Sequence, residues 1–91
     1  MTAVAESLRR KLTFAFSPTR LEIVDDSSRH AGHAGARPGG ESHFNVVIQA
    51  AAFEGASRVA RQRLVYSALA EDLAGPVHAL SLTALAPGEA G

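Results

Sequence analysis

Cysteine is absent from this 91-residue chain. Its absence excludes disulfides, a thiolate nucleophile and any zinc site of the cysteine kind. A metal held here has to use His, Asp, Glu or a group brought by a partner. Net charge is lacking too: nine basic residues balance nine acidic ones. Affinity built on bulk neutralisation of phosphate is therefore not expected, which leaves room only for a local basic patch. No apolar run approaches the roughly 20 residues that cross a bilayer. Arg9-Arg10-Lys11 followed by Leu12, Phe14, Ala15 and Phe16 is too short for a secretory core and stops at Ser17-Pro18. The expectation is a cytoplasmic protein with no membrane association and no visible organelle-targeting peptide.

What is present fits one folded domain. Hydrophobic residues make up 46% and charged residues 20%, an ordinary globular balance rather than that of a disordered chain. A core of this size is modest, so stability is expected to be marginal without a partner or ligand. The domain is expected over residues 1–86, with a flexible loop at 26–42 and a disordered tail at 87–91.

Val4, Leu8 and Leu12 recur at helical spacing, with Ala5 and Ala15 in the same stripe. This predicts an amphipathic helix over about residues 2–15, with Thr2 as candidate N-cap and Pro18 as a stop. Leu21 to Asp25 reads as a short strand with Leu21 and Ile23 on one face. Residues 26–42 hold four glycines, one proline and no apolar period, and predict a long loop of the kind often used for function. His43 to Ala51 alternates: Phe44, Val46, Ile48 and Ala50 take one face, and His43, Asn45 and Gln49 the other. Phe53-Glu54-Gly55 reads as a turn, and Ser57 as the cap of a short helical turn through Arg61. A longer helix then runs to about Leu73 on a stripe of Val65, Leu69 and Leu73 flanked by Leu64 and Ala68, until Gly75-Pro76 stops it. Val77 to Leu85 is the last strand, with Leu80, Leu82 and Ala84 sharing a face.

The order is helix, strand, strand, helix, helix, strand. The first two strands are expected to be antiparallel neighbours. The helical crossover to the third makes it parallel to the second. This is the α+β order of the class II KH-like arrangement: one three-stranded mixed sheet with helices packed on one face.

The chemistry-bearing residues are few. Glu71 and Asp72 are adjacent on a helix and point apart. No residue set resembles a nucleophile, base and orienter, so an enzyme is not expected. Tyr66 reads as packing. His30-x-x-His33 in a glycine-rich loop is a weak metal signal, and His78 on a strand is by default a packed core residue. A mononuclear zinc site of His30, His33 and His78 would account for all three. Arg58, Arg61 and Arg63 form a basic stretch that could meet phosphate, although a solvated helix face is the ordinary reading. KH domains clamp a single strand with a GxxG loop between two helices. That junction, expected near Val59-Ala60-Arg61-Gln62, contains no glycine. Duplex binding through the arginines stays open.

Three stretches together carry a family resemblance: His30 to Phe44; Phe53-Glu54-Gly55 with Arg61-Gln62-Arg63-Leu64-Val65-Tyr66; and Leu73-Ala74-Gly75-Pro76-Val77-His78-Ala79-Leu80. The chain resembles BolA proteins over about residues 6–86. The resemblance implies the same class II KH-like fold. It also implies pairing with a monothiol glutaredoxin and a shared [2Fe–2S] cluster, the protein being monomeric alone and heterodimeric with that partner. Some bacterial members also regulate transcription of stress and morphology genes by binding DNA. In the cluster role the C-terminal histidine of the family matches His78. The loop ligand, Cys or His by subgroup, matches His33, with His30 and His43 as alternates.

Topology gives that assignment a test. If the second and third strands are parallel, their starts share one end of the sheet, so His78 and the loop leading into His43 lie close. Parity puts His78 with Leu80 on the helix-facing side and His43 opposite Phe44, which demotes His43 as a co-ligand. Imidazoles can replace two thiolates on such a cluster, as in Rieske centres. Two histidines from this chain would leave two positions for a partner's cysteine and glutathione, with nothing bound by the chain alone. Neutral imidazole is the ligating form, so such a cluster is expected to become labile below about pH 6.

Overall fold

A computed structural model describes residues 3–25, 43–75 and 77–90. The loop expectation at 26–42 and the Thr2 cap lie outside the described residues.

Six main elements follow the predicted order: α1 (Ala3–Phe16), β1 (Arg20–Asp25), β2 (His43–Gln49), α2 (Arg58–Ala68), α3 (Ala70–Ala74) and β3 (Ala79–Leu85). The sheet order is β1-β2-β3. β1 pairs antiparallel with β2, Ile23 opposite Val46. β2 pairs parallel with β3, Val46 opposite Leu82. This is the class II KH-like arrangement, and the alternation along β2 explains its hold. Phe44, Val46 and Ile48 are buried under the helices, while His43 stays exposed on the other side of the strand.

On α1 the buried residues are Ala5, Leu8 and Leu12, the stripe that helical spacing predicts. Ala15, expected in that stripe, is exposed. The helix runs one residue beyond it, and Phe16 instead meets the Phe53 ring, centroids 5.1 Å apart. Phe53 is fully buried, so the segment read as a plain turn supplies a core residue. It closes a 3-10 turn, Ala51–Phe53. Gly55 then takes φ 76°, a left-handed conformation that glycine adopts without strain.

The helical region departs from expectation. Ser57 does cap, its Oγ accepting from the Ala60 N–H at 3.1 Å. It starts the whole of α2 rather than an isolated turn, because nothing between Arg58 and Ala68 interrupts the backbone ladder. The break falls at Leu69, whose φ −105° and ψ 17° leave the helix. No glycine or proline causes it. Leu69 is fully buried in the core, and Asp72 in α3 is held from α1 by Lys11 Nζ at 2.8 Å and by the Ser7 hydroxyl at 3.2 Å. Tertiary anchoring thus sets the angle of α3. The helix–helix junction is Ser67-Ala68-Leu69-Ala70, not residues 59–62, and it also lacks glycine. Leu64, expected beside the apolar stripe, is 43% exposed.

The chain end is anchored as far as Glu89 rather than frayed. Gly88 adopts φ 86° and the Glu89 N–H donates to the Ala86 carbonyl at 3.1 Å, so Pro87-Gly88 forms a tight turn. Gln49 Nε2 donates to the carbonyls of Ala86 and Glu89, each at 2.9 Å.

Candidate functional site

β3 begins at Ala79, the ladder partner of His43. His78 is the residue before it and is exposed. Because the two strands are parallel, His78, His43 and the point where the 26–42 segment enters β2 share one end of the sheet. Strand pairing starts only after His78, so strand alternation does not reach it, and it is exposed rather than covered on the helix side. Its neighbour Val77 is buried instead, its N–H donating to the Asp72 carbonyl at 2.9 Å. That bond ties the entry of β3 to α3 and fixes where His78 emerges. His43 lies on the open face opposite buried Phe44, as alternation predicts.

His30 and His33 lie outside the described residues, and with them two members of the zinc trio. Among the described residues no group of three or more His, Cys, Asp or Glu gathers in a way that could hold a metal ion. The imidazoles that the described residues offer are His78 and His43, at one rim of the sheet. Neutral imidazole is a borderline-soft nitrogen donor suited to iron and zinc, so the donor chemistry fits a metal centre completed from elsewhere.

The three arginines part company. Arg58 and Arg63 are exposed. Arg61 is not available to phosphate in the same way, for its side chain is only 14% exposed. Its Nε donates to the Ala56 carbonyl at 2.9 Å and Nη1 to the Ala84 carbonyl at 3.1 Å. The two Nη groups also grip the Glu89 carboxylate at 2.6 and 3.2 Å. The Ala86 N–H donates to the same carboxylate at 2.8 Å. These donors, the Arg61 fork first and the Ala86 N–H second, pull the Glu89 carboxyl down to about 2. Arg61 is raised in turn, chiefly by its bond to Glu89. A guanidinium so engaged is a structural clasp between α2, β3 and the tail. Sequence reading missed this clasp, although the Pro-Gly turn that swings Glu89 back was a usable signal.

Asp72 likewise belongs to the α1–α3 anchor and not to an acid–base pair. Glu71 is exposed, with Lys11 Nζ 3.5 Å away.

A groove of about 660 Å³ lies beside β3, with Arg58, Val59 and Gln62 on one wall and Leu82 and Ala84 on the other. Among the described residues no helix is long and apolar enough to cross a membrane.

Fold and rim together define a small α+β domain of class II KH-like topology that presents histidine at one end of its sheet. The family model for BolA-like proteins matches residues 12–89, and the chain belongs to that family. "BolA-like protein 1" of Homo sapiens is 45% identical over 86 residues, covering 94% of this chain and 60% of that protein. "DNA-binding transcriptional regulator BolA" of Escherichia coli is 46% identical over 79 residues, covering 87% of this chain and 71% of its own length. The solved BolA domain of SufE1 from Arabidopsis thaliana superposes with a TM-score of 0.86 at 40% identity, covering 99% of each chain. The chain spans about 60% of the length of the BolA-like protein 1 relatives it matches.

Proposed function

We propose that this BolA-like chain is a non-enzymatic, cytoplasmic accessory protein that binds a monothiol glutaredoxin and co-ligates a [2Fe–2S] cluster through His78 and a loop histidine, His33 first. The observation that carries this reading is the exposure of His78 at the end of β3 that lies beside the entry to β2. A strand running the other way would put that ring at the far end of the sheet from the 26–42 segment. A buried ring would be out of reach of an ion held by another chain. Absence of cysteine makes the ligands imidazoles, and a site half-built from this chain needs its other donors, a cysteine and glutathione, from the partner. The cluster supplies one-electron chemistry and a labile iron cargo. The chain itself contributes the nitrogen donors, with His78 supplied from the exposed entry to β3. The test is to mix the chain with cluster-loaded monothiol glutaredoxin and record the visible spectrum. A change that disappears in His78→Ala and weakens in His33→Ala supports the reading. An identical change with His78→Ala refutes it.

A second reading, DNA-binding regulation, draws on the Escherichia coli relative, a DNA-binding transcriptional regulator by name, and on the exposure of Arg58 and Arg63 on α2. Binding to duplex DNA would weaken steeply with salt, and the slope would become shallower when both arginines are replaced by Gln. An unchanged slope would remove this reading.

A further inference from the structure

Among the described residues the sheet order leaves β3 bonded to β2 on one side and open on the other. Leu85 turns its carbonyl toward β2, where the Ala50 N–H donates to it at 3.0 Å. By alternation along a parallel strand, the N–H and C=O groups of Leu80, Leu82 and Ala84 point away from the sheet. Arg61 Nη1 covers the Ala84 carbonyl. The edge groups of Leu80 and Leu82 have no such cover among the described residues.

Edge strands are normally guarded by charge, proline or bulges. β1, the opposite edge, carries Arg20, Glu22 and Asp25. β3 is Ala-Leu-Ser-Leu-Thr-Ala-Leu, with no charge and no proline. Its one guard among the described residues is Arg61 at the C-terminal end, which would stop an added ladder at Ala84 and leave the stretch before it open.

The groove beside this edge gives the missing strand a chemistry. It already holds one carboxylate, that of Glu89 on Arg61. Arg58 lines the same groove, and its side chain has no hydrogen bond or ion pair among the described residues. Next to it Val59 is 55% exposed. We propose that the open edge of β3 accepts an extended segment of a partner protein as a fourth strand. The segment pairs with Leu80 and Leu82 and places an acidic side chain on Arg58 and an apolar one against Val59. A second copy of this chain fits less well. The carboxylate that a second copy carries in this groove, Glu89, is already engaged by its own Arg61. Main-chain bonds would supply the affinity and the groove the selectivity, as in other strand-addition complexes. The inference rests on neither the cluster nor the DNA reading.

The probe is the peptide acetyl-Val-Thr-Glu-Thr-Val-amide, with Val and Glu on one face, titrated into the full chain and followed by amide hydrogen exchange. The expected result is saturable binding that slows exchange at Leu80 and Leu82. Arg58→Glu, or Lys in place of the peptide Glu, should weaken it by at least about tenfold. Methylating alternate peptide amides should abolish binding in one phase and spare it in the other, since an added strand uses one edge. The inference is overturned by no saturation up to about 1 mM, by equal binding of both methylated phases, or by protection that misses Leu80 and Leu82. It is also overturned if the chain alone dimerises and protects those amides itself.

Discussion

His78 stands immediately ahead of Ala79, the parallel-ladder partner of His43, so the two histidines occupy the same rim of the sheet. They are not equivalent there. His43 is fixed within β2 on the face opposite buried Phe44, whereas His78 precedes the paired part of β3. A ligand directed by the chain entering β2 has more freedom to meet His78 than to meet a side chain committed to one face of a central strand. His43→Ala is therefore expected to keep the spectral change produced with cluster-loaded monothiol glutaredoxin, while His78→Ala loses it. Visible circular dichroism of the two mixtures checks this. Equal loss in both would move His43 into the ligand set.

The tail clasp predicts an acid limb in stability. Glu89 is held down to about 2 against an ordinary value of 4.5. The unfolded chain takes up that proton first. Stability from the clasp is thus complete above about pH 4.5 and is lost progressively as pH falls toward 2. Arg61→Gln removes the main cause of the depression. Urea unfolding midpoints of Arg61→Gln and the parent should differ at pH 7 and converge between pH 4.5 and 2. A constant difference down to pH 2 would show that Arg61 acts through Ala56 and Ala84 alone.

Periodicity made most of the fold legible. The two-residue alternation of Phe44, Val46 and Ile48 identified the central strand and its buried face, and the four-residue spacing of Leu8 and Leu12 identified the seam of α1. The common rim of His43 and His78 also followed from element order, through the parallel pairing of β2 and β3. What sequence could not supply was anything set by contacts distant along the chain. The break at Leu69 has no local signal, because Ser67-Ala68-Leu69-Ala70 is good helix sequence. It coincides with a contact distant along the chain, Lys11 and Ser7 reaching Asp72. The loss of Arg61 from the basic face is likewise fixed by Glu89, far along the chain. Strand pairing begins one residue after His78, so alternation alone does not fix its face.

Phe53 is a sharper test of the core than any residue on the predicted stripes. It is fully buried and packs its ring at a tilt against Phe16 from a segment that looks like a loop. Phe53→Ala should cost about 3–5 kcal/mol, the range for deleting a buried aromatic ring. Ser57→Ala, which removes only the cap of α2, should cost about 1 kcal/mol. Chemical denaturation of the two variants measures both. A loss at Phe53 no larger than that at Ser57 would mean that the 3-10 turn is not part of the cooperative core.

The anchor between α1 and α3 predicts an asymmetry between its two ends. Asp72 has a side chain 9% exposed and Lys11 one 31% exposed, with their charged atoms 2.8 Å apart. Removing Lys11 leaves a carboxylate in a poorly solvated site with only the Ser7 hydroxyl. Removing Asp72 leaves an ammonium that reaches solvent and keeps Glu71 at 3.5 Å. Breaking such a pair is costlier on the side that strands the more buried charge. Lys11→Met is therefore expected to destabilise more than Asp72→Asn, and Lys11→Met with Asp72→Leu should recover part of the loss. The Lys11 pKa is raised above 10.5, first by its hydrogen bond to Asp72. Its contribution is accordingly complete below pH 10.5 and disappears as pH rises through the higher folded value. A double-mutant cycle in urea at pH 7, repeated at alkaline pH, measures the coupling. Equal losses from the two single variants, or a coupling that survives full deprotonation of Lys11, would show that packing of the side-chain stems holds α3 in place rather than charge.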